Sequence, residues 1–181
     1  MKMMKIVAGI CFALAVAAQG ALITEAEPNN TMATADTVRT DAMPWMNMGL
    51  ISLAPGGNDV DFFSIALRQG DILTVTTTPL QVIGTTPDTY LGVLNPLAEV
   101  VASNDNGYGY GSMVAYQAPA DSLYYIAVTG AGDVDFDGYI TGGIGHGQVG
   151  NYQLTVSLIP EPATVVFIGL AGLALLVRRK K

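Results

Sequence analysis

Tyr152-Gln153-Leu154-Thr155-Val156-Ser157-Leu158 places an apolar side chain at every second position for seven residues. Period two puts all four apolar groups on one face of an extended chain, so this stretch reads as a strand with one buried face. The same pattern recurs upstream. Phe63, Ile65 and Leu67 alternate with Ser64 and Ala66, Tyr124, Ile126 and Val128 alternate, and Ile72 to Thr78 is rich in β-branched residues. Shorter β-type runs lie at Met48 to Leu53, Tyr90 to Leu94, Glu99 to Ser103 and Ser112 to Tyr116, separated by Gly, Pro, Asn and Asp. About eight strands with frequent turn signals predict an all-β fold, an antiparallel β-sandwich. Outside the two ends, helical periodicity is limited to a turn or two within Thr31 to Val38, and no repeat of fixed period divides the middle, so a single domain is expected. Trp45, after Pro44, is expected to cover one end of the core.

The ends differ from this middle. Residues 1–21 carry Lys2 and Lys5, then an apolar run from Ile6 to Ala18, then small residues, the three-part layout of a secretory signal peptide. Cleavage after Ala18, Gly20 or Ala21 fits equally. The single cysteine, Cys11, lies inside the apolar run behind Ile10, whereas a lipoprotein signal needs a small residue there. Removal of the signal leaves a chain without cysteine, whose stability cannot come from disulfides. At the other end, Pro160-Glu161-Pro162 precedes an uncharged apolar stretch, 163–177, and the basic cluster Arg178-Arg179-Lys180-Lys181 closes the chain. As a helix that stretch reaches roughly 22 Å, against about 30 Å of bilayer hydrocarbon, which makes it a short membrane anchor. The basic cluster stays cytoplasmic by the positive-inside rule, leaving the middle outside.

The Pro-Glu-Pro tripeptide, apolar helix and basic end together resemble the PEP-CTERM sorting signal of Gram-negative bacteria, here covering 159–181. The resemblance implies recognition by a membrane-embedded exosortase, processing near Pro160 to Pro162, and delivery to the cell surface or the extracellular polysaccharide matrix. The alternative is an ordinary single-span tail anchor.

Charge follows the same division. The chain of 181 residues carries a formal net charge of −7, but residues 22–160 hold only Arg39 and Arg68 against 14 Asp and Glu, a balance of −12. Such a surface repels nucleic acid and other polyanions and favours divalent cations.

Within the middle, the order Glu25-Ala26-Glu27-Pro28-Asn29-Asn30-Thr31, Asp59-Val60-Asp61-Phe62-Phe63-Ser64-Ile65, Gly70-Asp71, Leu91-Gly92-Val93-Leu94, Ser103-Asn104-Asp105, Tyr124-Tyr125-Ile126-Ala127-Val128 and Gly150-Asn151-Tyr152-Gln153-Leu154-Thr155-Val156 resembles the bacterial pre-peptidase C-terminal domain. That family is a small, jelly-roll-like β-sandwich usually appended to secreted proteases and similar to the collagen-binding domains of clostridial collagenases. The resemblance implies such a domain over 22–158, here without an attached protease.

Two acidic clusters have the composition of cation sites, because Ca2+ takes six to eight oxygens from carboxylates, amide carbonyls and backbone carbonyls. The first is Glu25, Glu27, Asn29 and Asn30, with Asp59 and Asp61 as partners across the fold; it matches the segment through which relatives of the domain hold calcium. There the family pattern often has Asp where this chain has Asn30. Its bland alternative is a solvated lead-in, with Asn29 or Asn30 capping a short helix. The second is Asp133, Asp135 and Asp137 before Gly138, with Tyr139 offering a backbone carbonyl and Thr141 a further ligand. Ile144 stands where an EF-hand needs Glu, so a calcium-stapled β loop is the expectation, against an acidic hairpin turn. These sites are expected in turns rather than strands.

No catalytic residues are assigned. Apart from Cys11, a nucleophile would have to pair with the single histidine, His146, which its glycine-rich surroundings suggest is a flexible loop residue. No Gly-x-Ser-x-Gly elbow, zinc signature or phosphate loop is present. A glycosidase using two carboxylates is the enzyme alternative. Tyr108 and Tyr110, among glycines, are candidate contacts for a sugar or a partner protein in an adhesin reading, or else they pack back over the sandwich edge.

Overall fold

The computed structural model describes residues 22–38, 45–81, 86–107 and 109–159. The signal peptide, the Pro160–Lys181 tail with its 163–177 stretch, and Tyr108 lie outside them, as does the side chain of Trp45. Among the described residues no helix is long and apolar enough to cross a membrane.

The described residues form eleven strands. They are β1 (Asp36–Thr37), β2 (Trp45–Leu53), β3 (Asp61–Leu67), β4 (Ile72–Pro79), β5 (Thr89–Leu94) and β6 (Val100–Asn104). Then follow β7 (Met113–Gln117), β8 (Ser122–Gly130), β9 (Tyr139–Ile140), β10 (Ile144–Gly145) and β11 (Gly150–Ile159). One sheet runs β1-β3-β8-β5-β6, a second runs β2-β11-β4-β7, and β9 and β10 make a small hairpin. All pairings are antiparallel except β1 with β3. The all-β sandwich expected from the alternation is therefore the fold observed.

β11 explains why. Tyr152, Leu154, Val156 and Leu158 are all at most 1% exposed, because the strand is paired on both sides, with β2 and with β4. Their inward face meets Phe63, Ile65, Leu91, Val93, Ile126 and Val128 from the other sheet in one core. Full burial of a Leu, Val or Ile side chain stabilises by roughly 1.5–3 kcal/mol, and Leu154→Ala would cost about 2–5 kcal/mol.

β3 departs from strict alternation: Asp61 to Ile65 are all buried. Its outer face is covered by a second apolar cluster of Val60, Phe62, Leu94, Ala127 and Phe136, rimmed by Met32, Ala35, Tyr90 and Tyr125. Phe136 comes from the β8–β9 loop and stacks on Tyr90, ring centroids 5.2 Å apart. Gly92 leaves room for that ring, since a Cβ there would lie 2.3 Å from it. The expected helical turn in Thr31 to Val38 is instead a tight turn followed by β1. Thr34 N–H donates to the Thr31 carbonyl (3.0 Å), and Asp36 and Thr37 then pair with Phe63 and Ser64. The sheet edge offers these residues more hydrogen bonds than an isolated turn of helix could. The Asp133 loop borders this covered face through Phe136, whereas Asp61 shares the inward face of β3 with Phe63 and bonds to Tyr152 of the other sheet.

Candidate metal centres

The lead-in to β1 lies across the start of β3. The Asn29 carbonyl accepts the Phe62 N–H (3.1 Å), while Glu25 Oε2 accepts Ser52 N–H from β2 (3.2 Å). Asp36 holds the lead-in by accepting the Ala26 N–H (2.8 Å) and the Asn29 side-chain amide (3.4 Å). Glu27 Oε2 accepts the Asn29 N–H (3.2 Å). These contacts bring one carboxylate oxygen each from Glu25, Glu27 and Asp61 within 4.8 Å of one another. Asp61 and Asn29 are fully buried.

The pairing of oxygens with donors is incomplete here. Tyr152 donates its hydroxyl to Asp61 Oδ2 (2.6 Å), but Glu25 Oε1, Asn29 Oδ1 and Asp61 Oδ1 are shielded from solvent with no donor in reach, unless Glu25 and Asp61 share a proton between them. Buried polar atoms are normally paired, and leaving one orphaned costs about 1–3 kcal/mol. Three together, in a cluster of carboxylates, form a donor set suited to a hard cation. Among the described residues no Lys or Arg takes that role: Arg68 alone is present, and it follows the far end of β3, roughly 20 Å from Asp61. Burial, then the charge of Glu25, pushes the Asp61 carboxyl well above the usual range. Glu25 is also raised by burial, against hydrogen bonds from Asp61 and the Ser52 N–H that lower it, with Glu27 and Asp59 adding to the rise. The Tyr152 hydroxyl is driven up by burial and by Asp61.

Asp59 and Asn30 stand beside this cluster and bond to each other. The Asn30 amide donates to Asp59 Oδ1 (3.0 Å) and Ala54 N–H to Asp59 Oδ2 (2.6 Å). Neither Asn29 nor Asn30 caps a helix. Asp61 opens β3, so this cluster joins a strand residue to a turn.

In the second cluster, Asp133, Asp135 and Asp137 again place oxygens within 4.8 Å. Asp133 is fully buried, yet its oxygens are occupied: Oδ2 accepts the Thr129 hydroxyl (2.7 Å) and the Gly138 N–H (2.8 Å), and Oδ1 lies 3.3 Å from the Asp137 nitrogen. Asp137 Oδ1 accepts the Tyr139 N–H (2.8 Å), and the Tyr139 hydroxyl accepts the Asn58 amide (3.2 Å). Asp135 is exposed. Gly138 has φ +88° and rests on Asn58, with its Cβ position 2.3 Å from the Asn58 carbonyl oxygen, so only glycine fits.

His146 is buried rather than flexible. Its Nδ1 accepts the Gln148 N–H (3.0 Å), so Nε2 carries the proton and donates to the Asp59 carbonyl (2.9 Å). The ring sits on Gly130, where a Cβ would lie 2.1 Å from Nδ1. Of the surrounding glycines, Gly145 allows close approach to the Gly57 carbonyl, while Gly142, Gly143 and Gly147 border open space at positive φ.

Two features had no signal in the sequence. The Tyr152 hydroxyl reaches Asp61 from what reads as a plain core position. Asp88, Asn104 and Asp105 each leave one side-chain oxygen shielded without a partner. Burial and then the charge of Asp105 raise the Asp88 carboxyl.

With this geometry in hand, comparisons with known proteins bear on the tail and on the fold. Residues 158–181 match the PEP-CTERM protein-sorting motif. That motif implies export to the cell surface with exosortase processing, as expected from Pro160, Glu161, Pro162 and the terminal basic cluster. A probable subtilase-type serine protease of Deinococcus radiodurans is 31% identical over 103 residues, 57% of this chain, and the match spans 14% of the protease's length. A periplasmic inhibitor of g-type lysozyme from Aeromonas hydrophila has a similar fold (TM-score 0.50, 17% identity, 69% of this chain, 96% of that one). The pre-peptidase C-terminal domain of a Bacillus anthracis collagenase is a further structural neighbour (TM-score 0.43, 12% identity, 69% of this chain, 94% of that one).

Proposed function

We propose that this chain is an exported, non-catalytic β-sandwich protein, sorted by an exosortase to the cell surface or extracellular polysaccharide matrix and stabilised by calcium. In this reading residues 1–21 are removed by signal peptidase, 22–158 form the working domain, and the 163–177 stretch anchors the chain in the membrane until processing near Pro160–Pro162. Its role is structural or binding.

One observation carries the calcium assignment: the three orphaned, buried oxygens of Glu25, Asn29 and Asp61. Glu25, Glu27, Asn29 and Asp61 would hold the ion, and Asn30 with Asp59 would buttress them. Calcium would supply the positive charge that no Lys or Arg among the described residues provides there. Non-catalytic character is supported by His146, whose two ring nitrogens are both committed to the backbone, leaving no imidazole to act as base.

The test compares thermal unfolding of the full-length protein in millimolar calcium and in chelator. An ion present at a hundred times its dissociation constant stabilises by about 2.7 kcal/mol, a rise in midpoint of roughly 10 °C for a domain of this size. Identical midpoints would remove calcium from the reading. For sorting, alanine at Pro160, Glu161 and Pro162 should leave unprocessed precursor in the membrane, and normal maturation of that variant would count decisively against exosortase processing.

A further inference from the structure

The acids are absent from one whole face. On the outside of the four-stranded sheet, Thr74, Thr76 and Thr78 of β4 stand beside Ser157, Thr155 and Gln153 of β11. On the other side, Thr74 faces Ala115 and Thr76 faces Met113 of β7. None of these positions is charged, in a segment where 14 acids meet two bases. At one edge this face runs into a cleft of about 330 Å³ between the end of β4 and the 109–113 turn. Thr76, Thr78, Gln81, Thr86, Tyr110 and Met113 line it, and Tyr110 is 58% exposed.

The backbone that presents Tyr110 is tied to β5 by hydrogen bonds. The Tyr110 carbonyl accepts both the N–H and the hydroxyl of Thr89 (3.0 and 3.1 Å). Behind it, the Thr77 and Thr89 hydroxyls lie 2.6 Å apart, and the Ser112 N–H donates to Thr77 Oγ1 (2.8 Å), all fully or nearly fully buried. A backbone held in this way need not be ordered when the side chain binds, which lowers the entropic cost.

We propose that this cleft and the adjoining threonine face bind an uncharged polysaccharide, with Tyr110 as the stacking platform. The proposal deepens the binding role put forward above and rests on it. The chemistry argues for that ligand. An exposed aromatic face takes the C–H side of a sugar ring, while threonine hydroxyls and the Gln81 amide match its hydroxyls. An anionic polymer would approach against the field of the surrounding acids. From Thr74 to Thr78 the strand runs about 13 Å, long enough for a short oligosaccharide to lie along it.

The test is electrophoresis of the full-length protein, in detergent and calcium, through gels containing dextran, a mixed-linkage β-glucan, galactomannan or alginate. Retardation by at least one of the three neutral polymers is expected. Tyr110→Ala should weaken it at least ten-fold, Tyr110→Phe should bind within two-fold of wild type, and Leu97→Ala, in the distant β5–β6 turn, should change nothing. Circular dichroism establishes that each variant is folded. No retardation by any neutral polymer, retardation by alginate alone, or full binding by folded Tyr110→Ala would overturn the proposal. So would a dimer in sedimentation that Thr76→Arg breaks, since the face would then serve a second copy. Calcium-dependent melting of the same samples separates failure here from failure of the calcium reading.

Discussion

The two acidic clusters carry similar residues at similar spacing, yet they differ in what their oxygens already do. In the Asp133 loop the buried carboxylate is satisfied by Thr129, Gly138 and Asp137. In the Glu25–Asp61 cluster, three buried oxygens have no donor unless Glu25 and Asp61 share a proton. A carboxylate that accepts several hydrogen bonds is stable as an anion without an ion. One that is buried among other carboxylates is not, and it either gains a proton or recruits a cation. Acid spacing alone therefore does not rank the two clusters; donor accounting makes the Glu25–Asp61 cluster the stronger cation candidate.

The largest effect that would break this contrast belongs to the staple. Asp133→Ala removes a charged acceptor and strands the Thr129 hydroxyl and Gly138 N–H inside the fold. The expected loss is about 3 kcal/mol or more, equal in calcium and in chelator. Asp135→Asn, at an exposed position, should move stability by less than about 0.5 kcal/mol. Unfolding midpoints of both variants with and without calcium check this. A strong calcium dependence confined to these two variants would make the loop a cation site as well.

Next in size is Asp61→Asn, which should invert its sign between conditions. In chelator the variant no longer buries a carboxylate beside Glu25, while its amide oxygen can still accept the Tyr152 hydroxyl. It should therefore melt above wild type, by on the order of 1 kcal/mol. In calcium it lacks a ligand charge and should lose most of the roughly 2.7 kcal/mol gained by wild type. A variant that falls below wild type by the same amount in both conditions would make Asp61 a structural acceptor only.

Much of this fold was legible beforehand, and the reason is periodicity. Phe63, Ile65, Leu67, Tyr152 and Leu154 each mark an inward face, because a two-layer sandwich buries one side of each strand. What escaped had no period. β1, β9 and β10 span two residues each, too few for any alternation. Phe62 broke the pattern because Phe136, 74 positions later, covers it. The ligand types at Glu25, Glu27, Asn29 and Asp61 were readable from their chemistry. Which of their oxygens lack partners depends on Ser52, Tyr152 and Asp36, contacts that only the folded chain brings together. His146 misled because glycine signals two opposite things: freedom in an open loop, and close approach in a packed one. Gly130 beneath its ring is the second kind.

The smallest predicted effect, and the sharpest on the orphaned oxygens, is the pH dependence without calcium. Asp61 and Glu25 hold their protons more tightly folded than unfolded. Between the ordinary carboxylate range near 4 and those raised values, the folded chain thus binds more protons than the unfolded one. Stability must then fall as pH climbs through that window, the reverse of the behaviour of a salt-bridged carboxylate. In chelator the protein should melt higher at pH 5 than at pH 7.5, and Asp61→Asn should flatten the difference. Saturating calcium should reverse the order, because the ion requires the same oxygens deprotonated and protons compete with it. A wild-type midpoint that rises with pH in chelator would mean that the cluster is already satisfied as anions, and the contrast with the Asp133 loop would disappear.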